Sequence, residues 1–260
     1  MTAIHNLLQT HFGYSEFRPL QQEIIQHVLS GNDCLVLMPT GGGKSLCFQL
    51  PALHFKGLTL VVSPLISLMK DQVDALKENG IAAEFLNSTL PPAESPRIEN
   101  AVKEGKVTLL YIAPERLANE YFQDFLKGVS ISLIAIDEAH CISQWGHDFR
   151  PEYRNLRFLR EIFPDVPCIA LTATATERVQ KDIAEQLRLH GNTVFLASFN
   201  RPNLHYHVQQ KGADAFAVLL QLLTKHKGES TIIYCFSRKD TEQLAADLSR
   251  EGFQASPYHA

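Results

Sequence analysis

CLVLMPTGGGKSLCFQL, residues 34–50, runs from five apolar residues through a glycine triplet into Lys44, Ser45 and a second apolar segment. A short apolar run broken at once by glycines reads as a buried strand that turns sharply into a helix. In that turn Gly41, Gly42 and Gly43, together with Thr40, let successive backbone N–H groups face a polyphosphate. Lys44 supplies a point charge for the β- and γ-phosphates, and Ser45 a hydroxyl for Mg²⁺. The general pattern G-x-x-x-x-G-K-[ST] asks for glycine where this chain has Met38. A ligand-free glycine turn is the plain alternative, and the strand, loop, helix order favours nucleotide.

Outward from this loop, apolar runs recur at 58–63, 107–113, 132–137, 168–173 and 193–198. They are continuous rather than alternating, as in strands of a parallel sheet covered on both faces. Between them 19–29, 65–80 and 177–191 carry helical spacing, the last two stopped by Gly80 and Gly191. The fold class is α/β, with helices on both faces of a parallel sheet. Asn, Pro and Asn interrupt the pattern at 198–206, which reads as a linker between a domain over 1–200 and a segment over 201–260. In that segment a strand at 205–208, a helix near 213–226, the strand 231–237 and a helix over 239–251 are expected. So few residues cannot bury a full core, and the second domain reads as cut short.

The net charge of −4 gives no global signal for nucleic acid, so such binding would come from local groups. Five scattered cysteines without C-x-x-C spacing suit reduced, intracellular usage. No window approaches a membrane span, and the expected location is the cytoplasm.

DEAHCISQWGHDFRPEY, 137–153, sets an acidic pair a few residues from the only tryptophan. After the apolar run 132–137, Asp137 is placed to hold Mg²⁺ and Glu138 to deprotonate water attacking a γ-phosphate. Taken alone, such a pair is equally a helix N-cap. Trp145 has two readings, a core anchor or, among Gln144, Gly146, His147 and Asp148, a loop aromatic on which unpaired bases stack, with Phe149 and the cation Arg150 beside it. His140, His147 and Cys141 offer metal-ligand types, in a spacing that matches no common zinc pattern.

Seven segments in order, 38–47, 63–73, 111–117, 137–153, 171–176, 199–204 and 232–238, resemble motifs of the superfamily 2 nucleic-acid helicases, and more closely those of the RecQ family of DNA helicases. That superfamily often lacks the first glycine of the loop. The resemblance implies a RecA-like first domain, an incomplete second RecA-like domain, and ATP-dependent, 3′→5′ unwinding of duplex DNA by translocation on single strands in recombination and repair. FGYSEFRPLQ, 12–21, is similar to the family's adenine-reading segment, which implies Tyr14 stacked on the base, Arg18 beside it and Gln21 on its edge. On its own, Tyr14 is more simply a core residue. Ser63, Asn87 and Arg116 match segments that touch the DNA backbone; their plain alternative is strand-end and cap chemistry. His140, Thr172 and Thr174 match segments that couple the ATP site to DNA, and Asn200 and Arg201 a link between domains. Because the family's second domain supplies arginines to the transition state, this chain is expected to bind ATP and hydrolyse it poorly. An RNA helicase and a non-catalytic, nucleotide-gated binding module stay open as rival readings.

Overall fold

The computed structural model describes residues 3–91, 93–191, 193–198 and 203–259. The chain divides into two compact units, 1–201 and 202–260.

In the first unit α1 (Ala3–Phe12) and α2 (Gln21–Leu29) precede β1 (Cys34–Leu37), α3 (Leu46–His54), β2 (Leu58–Val62), α4 (Ile66–Glu78) and β3 (Ala83–Leu86). Then come α5 (Glu94–Lys103), β4 (Leu109–Ile112), α6 (Glu120–Lys127), β5 (Ile131–Ile136), α7 (Arg157–Ile162), β6 (Cys168–Thr172), α8 (Glu177–Gln186) and β7 (Val194–Leu196). Short 3₁₀ turns cover Pro114–Ala118, Ala139–Ile142 and Pro151–Leu156. The strands form one parallel sheet in the order β3-β4-β2-β5-β6-β1-β7.

Every residue of β1, β2, β4 and β6 is buried, which is why these strands read as continuous apolar runs. Successive side chains enter opposite cores. Leu35, Leu37, Leu60 and Val62 pack with Ile98 of α5, Phe122 and Leu126 of α6 and Val179 and Ile183 of α8. Cys34, Val36 and Val61 pack with Ile24 of α2, Phe48 of α3 and Met69 and Val73 of α4. Ile4 and Leu8 fasten α1 over Ile25, Leu46 and Leu50.

At the amino end of β1, Asp33 holds three segments together. Its carboxylate accepts from the backbone N–H of Cys168 and of His190, each at 2.7 Å, and pairs with Arg160 of α7 at 2.7 Å. Both charged side chains are nearly inaccessible, so each needs the other.

Three departures from the sequence reading have local causes. The expected helix 19–29 begins only at Gln21, since Leu20 takes φ +67°. Helix α8 stops short of Gly191 because Arg188 adopts φ +46° and the N–H of Leu189 closes back on Ala184 O at 3.0 Å. Strand β3 lacks an apolar run because it lies at the sheet edge, where Glu84 meets Lys77 at 2.9 Å.

The second unit contains α9 (Ala215–Lys225) and α10 (Arg238–Arg250), close to the expected helices. The strands expected at 205–208 and 231–237 are absent, and neither segment joins a ladder. Strand-forming residues become a strand only beside another strand, and Ile232, Tyr234 and Phe236 accordingly stand 80%, 93% and 104% exposed.

Candidate functional site

Neighbouring strands β5, β6 and β1 each end in a segment that the sequence singles out. The glycine loop follows β1, Asp137 and Glu138 follow β5, and Thr172 closes β6. Carboxyl ends of parallel strands are where open α/β sheets gather their ligand-binding groups.

Met38 is 3% exposed, its side chain in the core and its N–H on Thr172 O at 3.1 Å, so the residue where the general pattern has its first glycine is still bonded to β6. Beyond it Gly41 and Gly43 take φ +79° and +86°, and a Cβ on Gly42 would lie 2.9 Å from Pro39 O. These turns require glycine. Ser45 has helical dihedrals and leads directly into α3, while Lys44 Nζ donates to Met38 O at 3.1 Å. Thr40 is exposed at the start of the turn.

Gln21 and Arg18 lie against the glycine loop. The Gln21 amide donates to Gly43 O at 3.1 Å and accepts from the Arg18 backbone N–H at 2.8 Å, and the Arg18 guanidinium donates to Gly41 O. Both side chains brace the glycine loop. Tyr14 is 54% exposed, so it is not a core residue and its ring is open for stacking.

Asp137 is 6% exposed, and its pKa is pushed up to about 6, first by burial and then by Glu138. The Tyr153 hydroxyl, which the sequence did not single out, donates to Asp137 O at 3.0 Å and steadies this turn. Glu138 takes φ +47°, a left-handed conformation rare for a side chain of this kind, and caps no helix through its carboxylate. Instead its carboxylate lies 3.3 Å from His140 Nδ1, and that hydrogen bond holds it below the usual carboxylate range. The same nitrogen lies 2.9 Å from Thr172 Oγ1, which also contacts Thr174 O at 3.2 Å and Thr174 N at 3.3 Å. A continuous polar path thus joins Glu138, His140, Thr172 and Thr174. The positive charge of Lys44 acts on both acids, lowering each.

One turn further on, Trp145 is 58% exposed, which removes its core reading. The loop that carries it is tied at both ends, with Ser143 N on His140 O at 3.2 Å and Arg150 N on Cys141 O at 2.9 Å. Gly146 is obligatory, since a Cβ there would sit 2.6 Å from His140 O. Across from the tip, the Arg178 guanidinium carbon lies 3.2 Å from the Trp145 ring centroid. Phe149 is half-buried with Arg154 over its ring at 5.3 Å. The Arg150 guanidinium is spent on Asp148 and on Pro64 O, both at 3.1 Å.

The metal alternative changes membership. Ligand atoms of His140, Cys141 and Asp148 lie within 4.8 Å of one another, while the His147 ring stacks on His140 at 4.5 Å. These groups already satisfy each other. The Cys141 thiol, pushed up to about 12 by burial, donates to Asp148, which Arg150 neutralises.

On the other half of the sheet, Ser63 follows β2, Asn87 follows β3 and Arg116 lies in the turn after β4. Ser63 Oγ, Asn87 Nδ2 and Arg116 Nε are buried and without a hydrogen-bond partner among the described residues. Asn87 Oδ1 caps Thr89 at 2.9 and 2.7 Å, the strand-end chemistry weighed for it. Arg116 pairs with Glu99 at 3.2 Å and covers the Phe122 ring, so its fork is turned inward. Asn200 and Arg201 lie outside the described residues.

Residues 18–183 match the family model described as DEAD/DEAH box helicase. The chain is 48% identical over 255 residues to a Haemophilus influenzae protein named ATP-dependent DNA helicase RecQ, covering 98% of this chain and 41% of that one. It is 46% identical to the Bacillus subtilis protein of the same name, covering 98% and 43%. The chain therefore spans about two fifths of the length of these relatives. Among solved structures, the helicase MrfA superposes with a TM-score of 0.71 at 18% identity over 98% of this chain and 42% of that one, a likeness of fold. No helix among the described residues is long and apolar enough to cross a membrane.

Proposed function

The chain belongs to the DEAD/DEAH box helicase family, and from that premise we propose that it carries the ATP-hydrolysing part of a DNA helicase of RecQ type. The names of the relatives support the substrate pair, ATP and DNA. The observation that carries the reading is the path from Glu138 through His140 to Thr172, set beside the glycine loop.

In this reading the N–H groups of Gly41, Gly42 and Gly43 cradle the phosphates, and Lys44 exchanges Met38 O for the β- and γ-phosphate oxygens. Ser45 and the buried Asp137 are oxygen donors of the kind that would hold Mg²⁺, which would supply neutralisation of phosphate charge. Glu138 orients the attacking water and accepts its proton, a task suited to a carboxylate kept ionised by His140. Tyr14 offers its exposed ring to the adenine. With Arg18 and Gln21 on the loop, adenine contact reaches the phosphate site through these two braces.

Trp145 and the half-buried Phe149 stack on bases of single-stranded DNA, and the buried hydroxyl of Ser63 becomes a backbone contact only if the strand end opens. Arg116 and Arg150 reach phosphate only by leaving their present partners. Movement at the loop passes to Glu138 through His140 and to Thr174 through Thr172. The remaining parts of the proposal are 3′→5′ translocation driven by closure of two RecA-like domains, unwinding of duplex DNA in recombination and repair, and a cytoplasmic, nucleoid-associated location. Unwinding is assigned to a protein of the relatives' full length. For the present chain we expect nucleotide binding with weak turnover, on the resemblance's implication that transition-state arginines belong to the family's second domain.

Measuring ATP turnover with and without single-stranded DNA in a full-length protein carrying Glu138→Gln tests the assignment. Turnover should fall at least about a hundredfold, the lower range for losing a general base, with ATP affinity retained. Surviving turnover would remove Glu138 as the base.

A further inference from the structure

The Trp145 ring is not free on both faces. Arg178 stacks on it at 3.2 Å, close for a cation over an aromatic ring. Arg178 is exposed in the first turn of α8 and makes no ion pair among the described residues. Next to Trp145 the loop is shaped by the short turn from Ser143, whose Oγ accepts from Trp145 N at 3.2 Å and whose O accepts from Gly146 N at 3.0 Å, while His147 and Asp148 are held by His140 and Arg150.

We infer that Arg178 is a latch: its guanidinium occupies the indole face on which a nucleobase would stack, and single-stranded DNA must displace it to engage Trp145. This rests on the reading of Trp145 as a base-stacking residue. Guanidinium and base are both flat and cannot occupy one face at the same separation. A cation over an exposed ring holds it by roughly two- to five-fold in an equilibrium. Base stacking is worth more, so the latch yields to DNA while setting the concentration at which it does so. Its position also gives the exchange a direct route inward. Thr176 caps α8 through Val179 N at 3.4 Å, two residues beyond Thr174, so a change at Arg178 is felt next to the segment that contacts His140 through Thr172.

Because Trp145 is the only tryptophan, emission excited at the red edge of the band, beyond tyrosine absorption, reports this ring alone. Two measurements suffice, on the parent chain, Arg178→Lys, which keeps the charge and loses the flat stack, and Arg178→Ala. Without DNA, acrylamide should quench both variants more strongly than the parent. Titrated with oligothymidylate, Arg178→Lys should respond at a lower concentration, by at most about five-fold because an ammonium keeps part of the cation–π attraction, with Arg178→Ala shifted less because it loses charge attraction. Quenching by acrylamide equal to the parent, or weaker oligothymidylate binding by Arg178→Lys, would overturn the latch and make Arg178 a direct DNA contact or a bystander. If oligothymidylate binds by anisotropy yet leaves the emission of all three proteins unchanged, it is the base-stacking role of Trp145 that fails, and the latch with it.

Discussion

Gly43 concentrates the demands of the phosphate loop in one residue. Its φ of +86° suits no side chain, and an added Cβ would lie 2.3 Å from Gln21 Nε2, the atom that braces the loop. Gly43→Ala should therefore lower stability by about 1–3 kcal/mol in urea unfolding and weaken ATP binding in titration, whereas unchanged values of both would mean the loop is rebuilt without cost. The glycines, Lys44 and Ser45 were legible because their chemistry is local: adjacent residues must curl, point and bind. The roles of Gln21 and Arg18 were not, since their partners lie more than twenty residues away and spacing cannot say where an amide will be spent. Likewise the acidic pair was visible in the sequence, but the left-handed turn that sends Glu138 to His140 was not.

At the scale of elements, the sheet holds its acidic and glycine segments together only if β1 and β6 keep their register. Asp33 enforces this by joining β6, the segment at His190 and α7. Asp33→Ala would strand Arg160 in the interior, and a loss of roughly 3–5 kcal/mol is expected in urea unfolding; a loss under about 1 kcal/mol would show that water reaches the site. Nothing in the sequence marked Asp33, whose carboxylate's partners are all more than a hundred residues distant. Interior strands were easy to read because burial on two faces writes itself as an apolar run. The edge strand β3, half-polar at Glu84, lacked that signature, and the end of α8 depended on a left-handed arginine that propensity does not foresee.

For the whole molecule, the same physics explains where strand prediction succeeded and where it failed. Runs in the first unit have neighbours and pair, while 231–237, equally rich in β-branched and aromatic residues, stays outside any ladder in the second. The functional claim rests on the first unit, whose loop, acids and threonine path are assembled within one sheet. The most direct test is binding of a fluorescent ATP analogue with Mg²⁺ to this chain and to its Lys44→Ala variant, followed by anisotropy. The account predicts saturable binding that the variant loses by at least about tenfold, as removal of a charge-assisted phosphate contact implies. Absence of binding, or equal affinity in the two proteins, would contradict it.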